Sequence, residues 1–191
     1  PGVEPIVWHP DKRPIPGSMF ERQYDFPAGT VLAKTLSLEL QAGDPDSSRK
    51  IETQLLHFDG VQWRGYAYAW NDEQTDADLV PAEGSEKTFE VADASWSGGR
   101  RLQRWTFASR TQCLSCHTPW AQHALAFTPA QLQRTIHRDG AAIAQLLWLE
   151  DQGIYRRVDA EQQTPESLTS DTLADVPRLA AADDPHATAA D

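Results

Sequence analysis

The chain's 191 residues suffice for one ordinary domain with a substantial core, and 40% hydrophobic with 24% charged residues is the balance of a globular protein. A formal net charge of −11 argues against nucleic acid and anionic membrane surfaces as partners, and is compatible with a basic protein surface. No run of 18 apolar residues is present, so no membrane span is expected.

Residues 1–25 read as a Pro-rich N-terminal arm, extended and irregular, because Pro1, Pro5, Pro10, Pro14 and Pro16 disfavour a helix. Met19, the only methionine, lies in it. A strand follows over 31–40, whose alternation puts Leu32, Lys34, Leu36, Leu38 and Leu40 on one face. Lys34 therefore points where leucines point, which costs free energy unless the ammonium snorkels out, pairs, or is engaged by a bound group. A second strand over 51–58 and a third over 61–70 flank Asp59-Gly60, the signature of a type I′ hairpin turn. The third carries Tyr66, Tyr68 and Trp70 on one face, an aromatic ladder suited to a core or to flanking a flat ligand. The acidic stretch 71–78 reads as a solvated connection rather than a calcium loop, since it has no central Gly and no closing Glu. Residues 87–91 and 102–108 form another hairpin that runs almost directly into the only two cysteines. Beyond them, helices are expected over 119–125, from Thr128-Pro129 to about 137, and over 141–152 ending at Gly153. Residues 159–191 lack periodicity and read as an extended tail or linker.

The cysteines stand in Cys113-Leu114-Ser115-Cys116-His117, the attachment motif of c-type haem. Two thiols one helical turn apart match the two vinyl groups of the porphyrin, and the adjacent histidine falls where it can ligate the iron. A zinc site would want a second pair of ligands, and His9, His57, His123, His137 and His186 form none at the usual spacing. A thioredoxin-like redox pair would want a parallel alternating fold, whereas the upstream pattern is antiparallel. An inert pair of thiols or a plain disulfide leaves the terminal His without a role. The expected cofactor is thus one covalent haem c, held by Cys113 and Cys116 with His117 as proximal iron ligand. No methionine follows the motif, so a distal ligand, if supplied by the chain, comes from upstream. Met19 and Lys34 are the candidates, beside an open or water-filled position. His123 is a poor candidate, lying only six residues on.

Phe26-Pro27-Ala28-Gly29-Thr30, then Tyr66-Ala67-Tyr68-Ala69-Trp70-Asn71-Asp72-Glu73-Gln74, then Arg110-Thr111-Gln112 before the motif and Ala126-Phe127-Thr128-Pro129 after it resemble a family of secreted bacterial two-haem c-type cytochromes. In that family a second Cys-x-x-Cys-His follows a segment similar to 173–191. The resemblance implies that this single-haem chain belongs to a longer parent with a second haem domain. The order of the segments also resembles, more weakly, the β-sheet haem proteins that include cytochrome c-prime-beta and a hydroxylamine-oxidising relative. In that relative a lysine is cross-linked to the haem, and Lys34 is the position the analogy favours.

The expected fold is α+β, an antiparallel β-sheet domain over 26–158 with the haem motif at the sheet exit, followed by short C-terminal helices. The expected function is electron transfer with a redox partner protein by an exported, periplasmic or extracellular cytochrome domain. The alternative is a haem enzyme or small-gas binder with an open sixth position. Residues 1–20 have no apolar core of a signal peptide, so an export signal is expected to have been removed or to lie upstream.

Overall fold

The computed structural model describes residues 4–14, 19, 21–158, 164–174, 176 and 178–179. The fold is α+β, dominated by antiparallel strands with a few short helices. It divides into two compact units, one of Ala28–Thr118 and one of Pro1–Pro27 with Pro119–Asp191.

The unit over Ala28–Thr118 opens with β3 (Val31–Glu39), β4 (Ser48–Phe58), β5 (Trp63–Trp70) and β6 (Ala77–Leu79), an antiparallel meander in that order; β1 (Ile6–Pro14) and β2 (Glu21–Asp25) belong to the other unit. The β4–β5 connection runs over 59–62 rather than two residues. The Asp59 carboxylate accepts from the amides of Val61 and Gln62, each at 2.9 Å, and these bonds hold it below the usual carboxylate range. A hairpin of β7 (Ser85–Ala92) and β8 (Arg100–Phe107) packs on the meander. Their joint core is Ile51, Ala67, Val80 and Phe107, with Leu38, Ala69, Phe89 and Trp105 packed against it. Between Leu36↔Glu52 and Ser37↔Lys50 the register slips by one, so β4 carries a bulge at Ile51. Ile51 and Glu52, consecutive residues, are consequently both buried.

In the other unit, β1 (Ile6–Pro14) lies between β2 (Glu21–Asp25), antiparallel, and β11 (Tyr155–Val158), parallel, while β12 (Pro165–Glu166) extends the sheet beyond β11. A small hairpin of β9 (Thr135–Arg138) and β10 (Ala141–Ala144) and the helices α2 (Pro129–Leu132), α3 (Gln145–Asp151) and α4 (Ser170–Ala174) complete it. Ile6, Trp8 and Tyr24 share one core with Leu132, Leu146, Leu149, Tyr155, Leu168, Leu173 and Val176.

Several expected segments differ. The Pro-rich arm contains two strands and three core residues, with Pro10 sitting where the β1–β2 register is interrupted, a place that tolerates proline. The tail beyond 159 contributes β12, α4 and Leu168, Leu173 and Val176 to the core. The two compact units meet in sequence at 27/28 and 118/119. Residues 119–121 make only a 3-10 turn. The helix at Thr128-Pro129 starts as expected, with Thr128 and Gln131 forming a capping box, but ends at Leu132, because Thr135 and Ile136 pair with Ala144 and Ile143. That pairing likewise takes residues 141–144 out of the expected third helix.

Candidate functional site

The cysteine motif lies on α1 (Arg110–Cys116), which begins three residues after β8 ends. Its start is specified locally: the Ser109 hydroxyl accepts from the Gln112 amide at 3.1 Å, and the Gln112 side chain accepts from the Ser109 amide at 2.8 Å. Arg110 further ties the helix to the β6–β7 connection by donating its amide to the Ala82 carbonyl, 3.0 Å. Ser-x-x-Gln is the readable signal for this helix start.

Cys113 and Cys116, three apart on a helix, share a face. Both are free thiols, Cys113 half-buried and Cys116 exposed. His117 is the C-cap, with φ −80° and ψ 61°, and its amide donates to the Cys113 carbonyl at 3.1 Å. The backbone therefore leaves the helix at the histidine, and its half-buried side chain is carried by the turn rather than by the helix barrel.

Beneath α1 lies β5. A Cβ built at Gly65 would stand 2.6 Å from Cys113 Cβ and 3.0 Å from its Sγ, so only glycine admits the helix at this distance. Cross-strand register places Leu32, Leu56 and Gly65 in one row of that face, Lys34, Gln54 and Ala67 in the next, and Leu36, Glu52 and Ala69 in a third. Tyr66, Tyr68 and Trp70 alternate with the small residues of β5 and occupy the opposite face. Trp70 Nε1 donates there to Thr53 Oγ1 at 2.9 Å, and Lys50 Nζ lies 3.4 Å from the Trp70 ring centroid. Tyr66 meets α1 itself, through the Arg110 guanidinium 5.1 Å from its ring.

Lys34 shares the face on which Cys113 lies, as the alternation predicts, yet it is exposed rather than enclosed by leucines. The reason is position: β3 is the edge strand, and α1 packs over β5, two strands away. Met19 is 79% exposed and belongs to the other unit, as does His123.

Glu52 was not singled out by the sequence. It is 1% exposed, with Oε2 accepting from Trp105 Nε1 and Oε1 from Gln54 Nε2, each at 3.0 Å. Burial raises the Cys113 thiol above the ordinary cysteine value, and the Glu52 charge adds to the shift.

Among the described residues, no three His, Cys, Asp or Glu side chains gather as they would around a metal ion. The donor set of α1 is two thiols on one turn and an imidazole directly after it, with the second thiol open to solvent. These residues fit covalent haem, whose porphyrin brings four of the iron ligands itself. Compared with protein-family models, curated proteins and solved structures, the chain finds no match.

Proposed function

We propose that the chain is an exported c-type cytochrome domain that carries one haem c and exchanges electrons with a protein partner. The observation that carries this reading is the complete Cys-x-x-Cys-His motif on a capped helix, with Cys116 exposed and His117 released at the helix end. Cys113 and Cys116 would hold the haem as thioethers: each thiol would add across a vinyl group, breaking its S–H bond and the vinyl π bond and forming an S–C and a C–H bond, with no net oxidation. His117 would ligate iron through a neutral imidazole nitrogen. When bound, haem supplies a one-electron ferric/ferrous couple.

The protein's own contribution is to hold the attachment helix still. Gly65 lets α1 lie against the sheet, the Ser109–Gln112 box fixes its first turn, and Arg110 anchors it to Tyr66 and Ala82. Among the described residues, no helix is long and apolar enough to cross a membrane. Haem is attached to thiols outside the cytoplasm, which gives the periplasmic or extracellular assignment, and the resemblance to two-haem cytochromes adds a second haem domain in a longer parent. The net charge of −11 favours a partner with a basic surface, and transfer rates to such a partner should fall as salt rises.

The test is haem retention. Protein matured in an export-competent host should keep its haem through acidified-acetone extraction, and Cys113→Ala with Cys116→Ala should release it. Full extraction from the parent would overturn the proposal.

A further inference from the structure

We propose that the unit built from the two ends of the chain binds a small organic monocarboxylate with an apolar body, in a cavity whose wall carries three hydrogen-bond donors that the protein leaves without an acceptor. The site involves neither the thiols nor a haem, so it stands or falls independently of the cytochrome reading.

The cavity, about 420 Å³, is lined by residues of β1, β2 and β11, of the start of α2, and of α4, all within that unit. Its volume falls among those of small-molecule sites, roughly 300–1,000 Å³. One wall is a cross-strand row. Strand pairing sets Tyr24 of β2 and Arg157 of β11 on either side of Trp8 of β1, and residues directly opposite on neighbouring strands share a face. Tyr24 and Trp8 are each 8% exposed, whereas the Arg157 side chain keeps 20%, so water reaches the row at the arginine.

Each member of the row brings a donor. The Trp8 indole N–H and the Tyr24 hydroxyl meet no acceptor among the described residues. The Arg157 guanidinium lies 5.4 Å from the Trp8 ring centroid. Glu166 Oε2 stands 3.3 Å from Arg157 Nε without closing a hydrogen bond to it, and the terminal nitrogens have no acceptor among the described residues. Donors held out of water with nothing to bind favour a ligand that brings oxygen acceptors, and a carboxylate beside a guanidinium forms the stronger, charge-assisted kind of bond. Charge limits the head group. Glu166 already offsets part of the arginine, and the chain's net charge of −11 opposes a polyanion, so a single negative charge suits the wall better than a phosphate dianion. Pro10, Pro129 and Val176 make the remaining lining largely apolar, which calls for a hydrocarbon or aryl body behind the carboxylate.

The experiment is a fluorine NMR titration of the full chain with para-fluorobenzoate at neutral pH, repeated with the neutral para-fluorobenzamide and with inorganic phosphate as competitor. The acid should bind saturably, the amide at least about tenfold more weakly, and phosphate should not displace the acid. Arg157→Gln should weaken the acid about tenfold, and Tyr24→Phe, which removes a hydroxyl and keeps the ring, about threefold. Arg156→Gln, at the exposed neighbouring position of β11, should bind as the parent does. No saturable binding of the acid by the parent, equal binding of acid and amide, or parental affinity in Arg157→Gln overturns the proposal. Displacement by phosphate assigns the row to inorganic anions and likewise overturns it. Should Arg157→Gln fail to accumulate, Tyr24→Phe decides, and parental affinity in that variant overturns the proposal.

Discussion

Gly65 and Cys113 are in contact across the interface between β5 and α1, and the contact has no room for a methyl group: a Cβ at 65 would lie 2.6 Å from Cys113 Cβ. Because Cys113 Cβ is bonded directly to the helix backbone and is not the far end of a flexible side chain, relief requires α1 or β5 to shift. Gly65→Ala should therefore cost about 1–3 kcal/mol, the range of overpacked cores, despite the better strand propensity of alanine. Urea unfolding at constant m-value should show the loss, and the fraction of molecules matured with haem should fall with it. A variant as stable as the parent would mean that the helix is free to shift.

The capping box makes a complementary prediction. Ser109→Ala removes the acceptor for the Gln112 amide and should lower stability by about 1 kcal/mol. Ser109→Asp, which keeps an acceptor and adds a favourable charge at the helix start, should restore it. Thermal melts of the three proteins check the order. Neither change touches the thiols, so haem once attached should be retained in both.

What the residues reveal unaided depends on whether the deciding interaction is local. The strand alternation that puts Lys34 on the same face as Leu32 and Leu36 needs only period two, and the Thr128-Pro129 helix start needs only its own side chains. Asp59-Gly60 correctly marks a hairpin, but the carboxylate of Asp59 captures two amides and lengthens the connection to 59–62. Distant partners are another matter. Trp8 and Ile6 become a strand because Arg157 and Tyr155, nearly 150 residues later, pair with them in parallel. Leu168, Leu173 and Val176 are scattered among polar residues and look solvated until the core they complete is known. Glu52 is the sharpest case: a bulge inserted opposite Leu36 and Ser37 turns two consecutive residues inward, and no pattern in Ile51-Glu52-Thr53-Gln54 announces it.

Tyr24 and Tyr155 give a pH prediction for the unit they share. Burial pushes the Tyr24 phenol up to about 12 and the Tyr155 phenol still higher, against about 10 in the unfolded chain. With folded values raised, the unfolded chain loses these protons first, so their contribution is complete below pH 10 and declines as pH rises toward 12 and beyond. The urea midpoint should therefore drop steeply above pH 10. Tyr155→Phe should reduce that drop. Its Oη is buried without a hydrogen-bond partner among the described residues, so the variant should also be at least as stable as the parent at pH 7. A parent whose stability is flat from pH 9 to 12 would contradict the assignment.

Lys34 supplies the last prediction, on the distal side of the proposed haem. It occupies the face of the meander against which Cys113 packs, so its location alone keeps it in view as a ligand. The edge strand leaves this side chain exposed, and α1 packs over β5, two strands away. Lys34→Ala should accordingly leave the visible spectra of both redox states unchanged. Conversion of a six-coordinate low-spin spectrum to a high-spin one in this variant would make Lys34 the ligand after all. Met19→Ala is the parallel measurement for the upstream thioether. If the parent itself is high-spin and takes up carbon monoxide rapidly, neither side chain holds the sixth position, and the balance moves from electron transfer toward a gas-binding or catalytic haem.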